Sequence, residues 1–265
     1  MSGGMAALAE WRAARLAALT APDGWLNLVA RIELSPGVHP VGAAQAVRLP
    51  SGPDLLGTLT LGPEGARFAR PGEEARPFLP VPDAFPQLRV EPFLLEIHTV
   101  DGIPALRVRD LRLRPQVSLR HFPDAPAWRL RAGWESLPPR ETEIVMKDGS
   151  IATVSLTHRA TFRHEGRHGG RDVSLTPTHW KGGKPMFVFR DATAGETYPA
   201  CRFLFGEEPG GGGITLDFNR AITGPCGRSG FPICPLPAPG NRLPVRVEAG
   251  RRGPPPGPRG GGAAP

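Results

Sequence analysis

A chain of 265 residues with 40% hydrophobic and 22% charged residues is long enough to bury a large core, and no apolar run approaches the ~20 residues of a membrane-spanning helix, which excludes a mini-protein and a helical membrane protein. Glycine (34) and proline (33) make up about a quarter of the residues, and their scatter between apolar stretches points to turn-rich β structure. The net charge of +7 falls to +4 over residues 1–250, and only three of the 32 cations are lysine; arginines that alternate with apolar residues rather than forming a block argue against a nucleic-acid surface.

The first predicted element is a helix over Met5 to Leu19, in which Met5, Leu8, Trp11, Leu16 and Leu19 share one face and Arg12 and Arg15 intrude on it. Glu10, Arg12 and Arg15 interrupt any hydrophobic run, so no secretory signal is read there, and three cysteines, an odd number spread along the chain, fit a reducing compartment: the expectation is a cytoplasmic protein. Pro22, Asp23 and Gly24 end the helix, and Trp25 to Val29 begins an apolar segment.

From there the period becomes two. Strands are predicted over Leu55 to Leu61, Phe93 to Val100, Trp128 to Trp134, Ile144 to Met146, Ile151 to Thr157, Met186 to Phe189, Ile214 to Phe218 and Leu243 to Val247. Asp148-Gly149 predicts a type I′ hairpin turn and Gly182-Gly183 a second hairpin, while Pro71 to Pro86 and Pro209 to Gly213 read as loops. No helical pattern separates the strands, so the expected fold is mainly β: a single antiparallel β-barrel or β-sandwich domain over residues 5–250 with an N-terminal α-helix, and a disordered Gly/Pro/Arg tail over residues 251–265.

Three motifs are weighed and set aside. His164-Glu165-Gly166-Arg167-His168 spells the zinc-protease pattern, but that chemistry needs a helix, and the surrounding glycines with the alternation of Ala152 to Phe162 read as a hairpin tip. Ser229 sits one residue short of a nucleophile elbow, and Gly182-Gly183-Lys184-Pro185 lacks the spacing of a phosphate loop. Cys226 and Cys234, each beside proline, are weak metal candidates that need further ligands, and inert burial competes with that reading.

The chemistry-bearing cluster lies C-terminal. Asp191, Thr193, Tyr198, Arg202, Asp217, Asn219, Arg220, Asn241 and Arg242 fall where strands give way to loops, and Arg with Asp and Asn can bind a carboxylate or phosphate. The same residues also close turns and pair with loop carbonyls.

The runs Phe189-Arg190-Asp191-Ala192-Thr193 to Tyr198, Arg202-Phe203-Leu204, Leu216-Asp217-Phe218-Asn219-Arg220-Ala221, Pro225-Cys226, Cys234-Pro235-Leu236-Pro237 and Asn241-Arg242-Leu243-Pro244 followed by Glu248-Ala249-Gly250 resemble, in order and spacing, the prokaryotic domain-of-unknown-function family 1684. Trp11-Arg12, Gly24-Trp25-Leu26 and Val108-Arg109-Asp110 extend the likeness over about residues 8 to 250. Gly240 and Arg251 stand where the family pattern is acidic. The resemblance implies a single mostly β domain centred on the C-terminal cluster; it implies no activity and no cofactor.

Two readings of different class follow. In the first, the chain binds a small polar or anionic molecule, with or without transforming it: Arg202, Arg220 and Arg242 supply positive charge, Asp191 and Asp217 orient them or act as acid/base groups, Asn219, Asn241, Thr193 and Tyr198 hydrogen-bond the ligand, and Asp217 and Cys226 are the catalytic candidates. In the second, the chain is a structural or protein-interaction module and the same residues form a buried stabilising network. A zinc-dependent enzyme using Cys226 and Cys234 is the remaining alternative.

Overall fold

The computed structural model describes residues 2–82, 84–100, 102–166, 169–224, 227, 231 and 234–253. These form two compact units, one of residues 15–117 and one joining the residues up to Ala14 with those from Ser118 onward. The N-terminal helix α1 runs over Ser2–Thr20 as its pattern requires. Leu8 and Leu19 are buried, whereas Met5, expected on the apolar face, is 59% exposed.

In the 15–117 unit the chain leaves a short 3-10 turn at Trp25–Asn27 and forms two five-stranded sheets. The first orders β1 (Leu28–Glu33), β10 (Ile103–Asp110), β9 (Phe93–Val100), β8 (Ala84–Val90) and β7 (Leu79–Val81) side by side, all antiparallel. The second orders β3 (Val47–Arg48), β2 (Gly37–Gly42), β4 (Gly57–Gly62), β5 (Gly65–Ala69) and β6 (Arg76–Pro77), antiparallel apart from the β2/β3 pair. Val41, Leu59 and Phe68 of the second sheet share one core with Leu95, Leu106 and Val108 of the first, a face-to-face sandwich of inward-alternating apolar residues. The segment Pro71 to Pro86, expected as loop, contains β6, β7 and the start of β8. Pro77 and Pro80 sit in β6 and β7, the short edge strands of their sheets, where a missing N–H costs no ladder bond.

In the other unit a seven-stranded sheet runs β13 (Gly169–Leu175), β12 (Ile151–Gly166), β11 (Arg129–Val145), β17 (Gly213–Asp217), β16 (Arg202–Gly210), β15 (Lys184–Phe189) and β14 (His179–Lys181). Phe187, Phe189, Leu204, Ile214, Leu216 and Phe218, together with Leu243, Val245, Val247 and Ala249, make its core; each of the Phe, Leu, Ile and Val side chains contributes about 1.5–3 kcal/mol of hydrophobic stabilisation.

Among the described residues no sheet closes on itself, so the protein is mainly β with open antiparallel sheets rather than a barrel. The expected strand Leu243 to Val247 keeps its alternating burial but joins no named strand. Pro244 has no N–H to give to a ladder, and the Val247 amide donates to the Asp191 side chain instead. Arg251 to Gly253, expected in the tail, pack against the fold: Arg251 bridges His121, and the amides of Arg252 and Gly253 donate to the carbonyls of Arg120 and Glu196. The rest of the expected tail lies outside the described residues.

Candidate functional site

The C-terminal polar residues form three knots. In the first, Asp191 follows β15 and folds its carboxylate over the next turn, Oδ2 accepting from the Thr193 amide at 3.2 Å and hydroxyl at 2.8 Å, the local bond that favours aspartate in turns. The same oxygen accepts the Val247 amide at 2.8 Å. Its Oδ1 faces Arg202 Nη1 at 3.3 Å, and that guanidinium also donates to the carbonyls of Val247, at 3.0 Å, and Ala249. Both side chains are 1% exposed, and the Arg202 guanidinium lies 5.2 Å from the Phe189 ring centre. Burial pulls the Arg202 pKa below its ordinary value, while Asp191 pushes it back up. Removing one partner of such a pair costs about 3–5 kcal/mol.

In the second knot Asp217, at the end of β17, caps a 3-10 turn by accepting the Asn219 amide at 3.1 Å and side chain at 3.0 Å. Asn219 clamps Ala125 at both backbone groups, accepting its N–H and donating to its carbonyl, each at 3.0 Å. Arg220 pairs with Glu207 at 2.7 Å and lies 3.5 Å from Asp217; its guanidinium stands 5.8 Å from the Trp11 ring of α1. In the third knot Asn241 accepts the Thr176 amide and donates to the carbonyls of Thr176 and Val188, at 2.8, 2.8 and 2.9 Å.

The other candidates do not join these knots. Arg242 is exposed. Half-buried Tyr198 packs against Val188, Cys201, Phe203 and Cys234. Cys226, Ser229 and His168 lie outside the described residues. Cys234 is 3% exposed within that apolar group, and among the described residues no three His, Cys, Asp or Glu come together as a metal site. His164 stands in β12, a strand, stacked on Trp128 at 4.7 Å, which removes the helical geometry that the zinc-protease motif needs.

A second polar cluster, in the 15–117 unit, escaped the sequence reading. Glu96 and His98 on β9 and Arg107 and Arg109 on β10 are all at least nine-tenths buried. Glu96 Oε1 accepts from Arg107 at 3.0 Å, and its Oε2 accepts from Arg109 at 3.3 Å and from Gln87 at 3.1 Å. Burial raises the Glu96 pKa, but Arg109 and then Arg107 outweigh it and leave the carboxyl below its ordinary range. The only sequence signal was charge at alternate positions, 96/98 and 107/109, which by itself describes a solvated strand face.

Open antiparallel sheets define a mainly β protein, in which Asp191, Arg202, Asn219 and Asn241 bond to the chain's own backbone. Within that class the chain belongs to the DUF1684 family, described as a protein of unknown function, whose model matches residues 117–252. The match takes in every C-terminal candidate residue and leaves out the N-terminal likeness at Trp11, Trp25 and Arg109. No curated protein matches the chain. Among solved structures it is similar to an uncharacterized protein of Haloarcula marismortui determined by solution NMR, with 27% identity over 51% of this chain and 76% of that one and a TM-score of 0.40. Among the described residues no helix is long and apolar enough to cross a membrane.

Proposed function

We propose that the chain is a structural or protein-interaction module, with the Asp191, Arg202, Asn219 and Asn241 network as the internal lock of its C-terminal segments. The observation that supports this is the surroundings of Arg202: it is 1% exposed, and both of its terminal nitrogens bond within the chain, to Asp191 and to two main-chain carbonyls, with Nε alone left without a partner. The surface offered to a partner includes Val145 and Ile151, directly paired where β11 meets β12 and 50% and 62% exposed, and Trp180, 49% exposed.

Thermal melting tests the lock. Asp191→Asn keeps the shape and removes the charge; it should destabilise the protein by about 3–5 kcal/mol, whereas Val145→Thr with Ile151→Thr should stay within about 0.5 kcal/mol of the parent. An unchanged melting temperature for Asp191→Asn would contradict the lock.

Binding of a small polar or anionic molecule at the same cluster is the second reading. In its favour, the Asp217 end is open: Arg220 and Glu207 are 28% and 23% exposed and Arg129 is 59% exposed. If this end binds a ligand, Asp217→Asn removes affinity and leaves melting intact.

A further inference from the structure

The polar face of the first sheet in the 15–117 unit carries a charge arrangement that its own residues do not balance. Arg31 on β1 stands directly opposite Arg107 on β10, Arg107 opposite Glu96 on β9, and Glu96 opposite Gln87 on β8. Directly opposed residues share a face, and like charges in that position repel. Two arginines are nevertheless set side by side here, with Arg107 7% exposed and the Arg31 side chain 9% exposed. Arg109, 6% exposed, adds a third guanidinium. Among the described residues of this face the buried counter-charge is Glu96 alone, since Glu33, the partner of Arg31 at 3.1 Å, is 61% exposed and an exposed carboxylate gives little to such a pair.

The donors are also under-used. Arg107 and Arg109 each give only Nη1 to Glu96, and Nε of Arg31, Arg107 and Arg109 and Nδ1 of His98 are buried without a hydrogen-bond partner. Burial first, then Arg107 and Arg31, hold the His98 pKa down at about 4, so its ring is neutral at physiological pH and able to donate from one nitrogen. The Trp25 ring centre lies 5.0 Å and 5.8 Å from the guanidinium carbons of Arg107 and Arg109, holding both planes in place by cation–π attraction.

We propose that Arg31, Arg107, Arg109 and His98, with Glu96 as an internal competitor, form a binding site for a small oxyanion, a carboxylate or phosphate group. Guanidinium is the side chain whose planar fork matches either group, and a buried cation in excess of its carboxylates is stabilised most by an anion that reaches the idle N–H groups. This site is independent of the lock around Arg202, whose residues all belong to the other unit.

The test is calorimetric titration of the whole protein with inorganic phosphate and, separately, with malonate, against sodium chloride at matched ionic strength. Saturable heat with phosphate alone assigns a phosphate site, and with malonate alone a carboxylate site; either supports the proposal. Glu96→Gln keeps the side chain's shape but withdraws its charge, and should bind the anion about tenfold tighter, while Arg109→Gln should bind at least about tenfold weaker. A purely structural ion cluster would lose stability in both variants and gain affinity in neither. The proposal is overturned if neither anion binds the parent or Glu96→Gln beyond chloride, or if folded Arg109→Gln binds as the parent does.

Discussion

Asn241 and Asn219 each give a whole side-chain amide to the main chain, one joining Thr176 to Val188 and the other fastening Ala125. An amide carries a donor and an acceptor on one rigid plane, so it can replace a strand neighbour where the ladder stops. That these residues are polar and lie at strand ends was legible in the sequence; that they serve the backbone was not, because the groups they satisfy lie far off, as Val247 lies 56 residues from Asp191. Buried and half-buried histidines carry the pH response, His179 through burial alone and two others more strongly. Burial, then neighbouring arginines, hold His98 and His121 at about 4, below the ordinary 6.5. Because the unfolded chain takes up these protons first, their contribution is full above pH 6.5 and is lost as pH falls toward 4. Urea denaturation followed between pH 7 and 4 should show stability dropping by up to about 1.4 kcal/mol per pH unit for each histidine, and His98→Gln with His121→Gln should flatten that slope; a slope unchanged in the double variant would refute the assignment.

At the level of elements, turn chemistry was the more legible part. Gly182 and Gly183 both have positive φ, 55° and 71°, as a two-residue hairpin between β14 and β15 requires. The turn at Asp148-Gly149 is a different type from the one expected. Only Gly149 has positive φ, at 88°; the Gly149 amide donates to Met146 and the Met146 amide to Ser150, and Asp148 Oδ1 accepts from the Ser150 amide and hydroxyl. This is a type I turn followed by a left-handed glycine, selected because the Asp148 side chain binds locally. A side chain at Gly149 meets open space, so Gly149→Ala should cost only the backbone term, about 1–2 kcal/mol, and Gly149→Asn less; equal melting of Gly149→Ala and the parent would disprove the turn type. Strand lengths were less legible. Three short predicted runs merge into β11 and β12, of 17 and 16 residues, because the Pro138-Pro139 break is taken up by a register shift between Ser136 and Arg140, where prolines are tolerated.

On the scale of the whole molecule, the sequence pattern was legible as mainly β with an N-terminal helix, while the grouping of the strands was not. Alternation marks which face of a strand is buried but not which strands share a core, and the packing separates residues 15–117 from the remainder. The same limit hid the arginine row, since opposition of Arg31 to Arg107 and of Arg107 to Glu96 is set by strand order alone. Each unit therefore joins an apolar core to a buried ionic group: one around Arg202, whose two terminal nitrogens both bond within the chain, the other around Arg107, where three neighbouring arginines share one buried carboxylate. The internal lock is tested most directly by a double-mutant cycle across Asp191 and Arg202, using Asp191→Asn, Arg202→Met and both together, measured by urea denaturation. Each single change should cost about 3–5 kcal/mol and the double should cost less than their sum by about 2 kcal/mol or more; small, additive losses would contradict the lock and return these residues to the list of ligand-binding candidates.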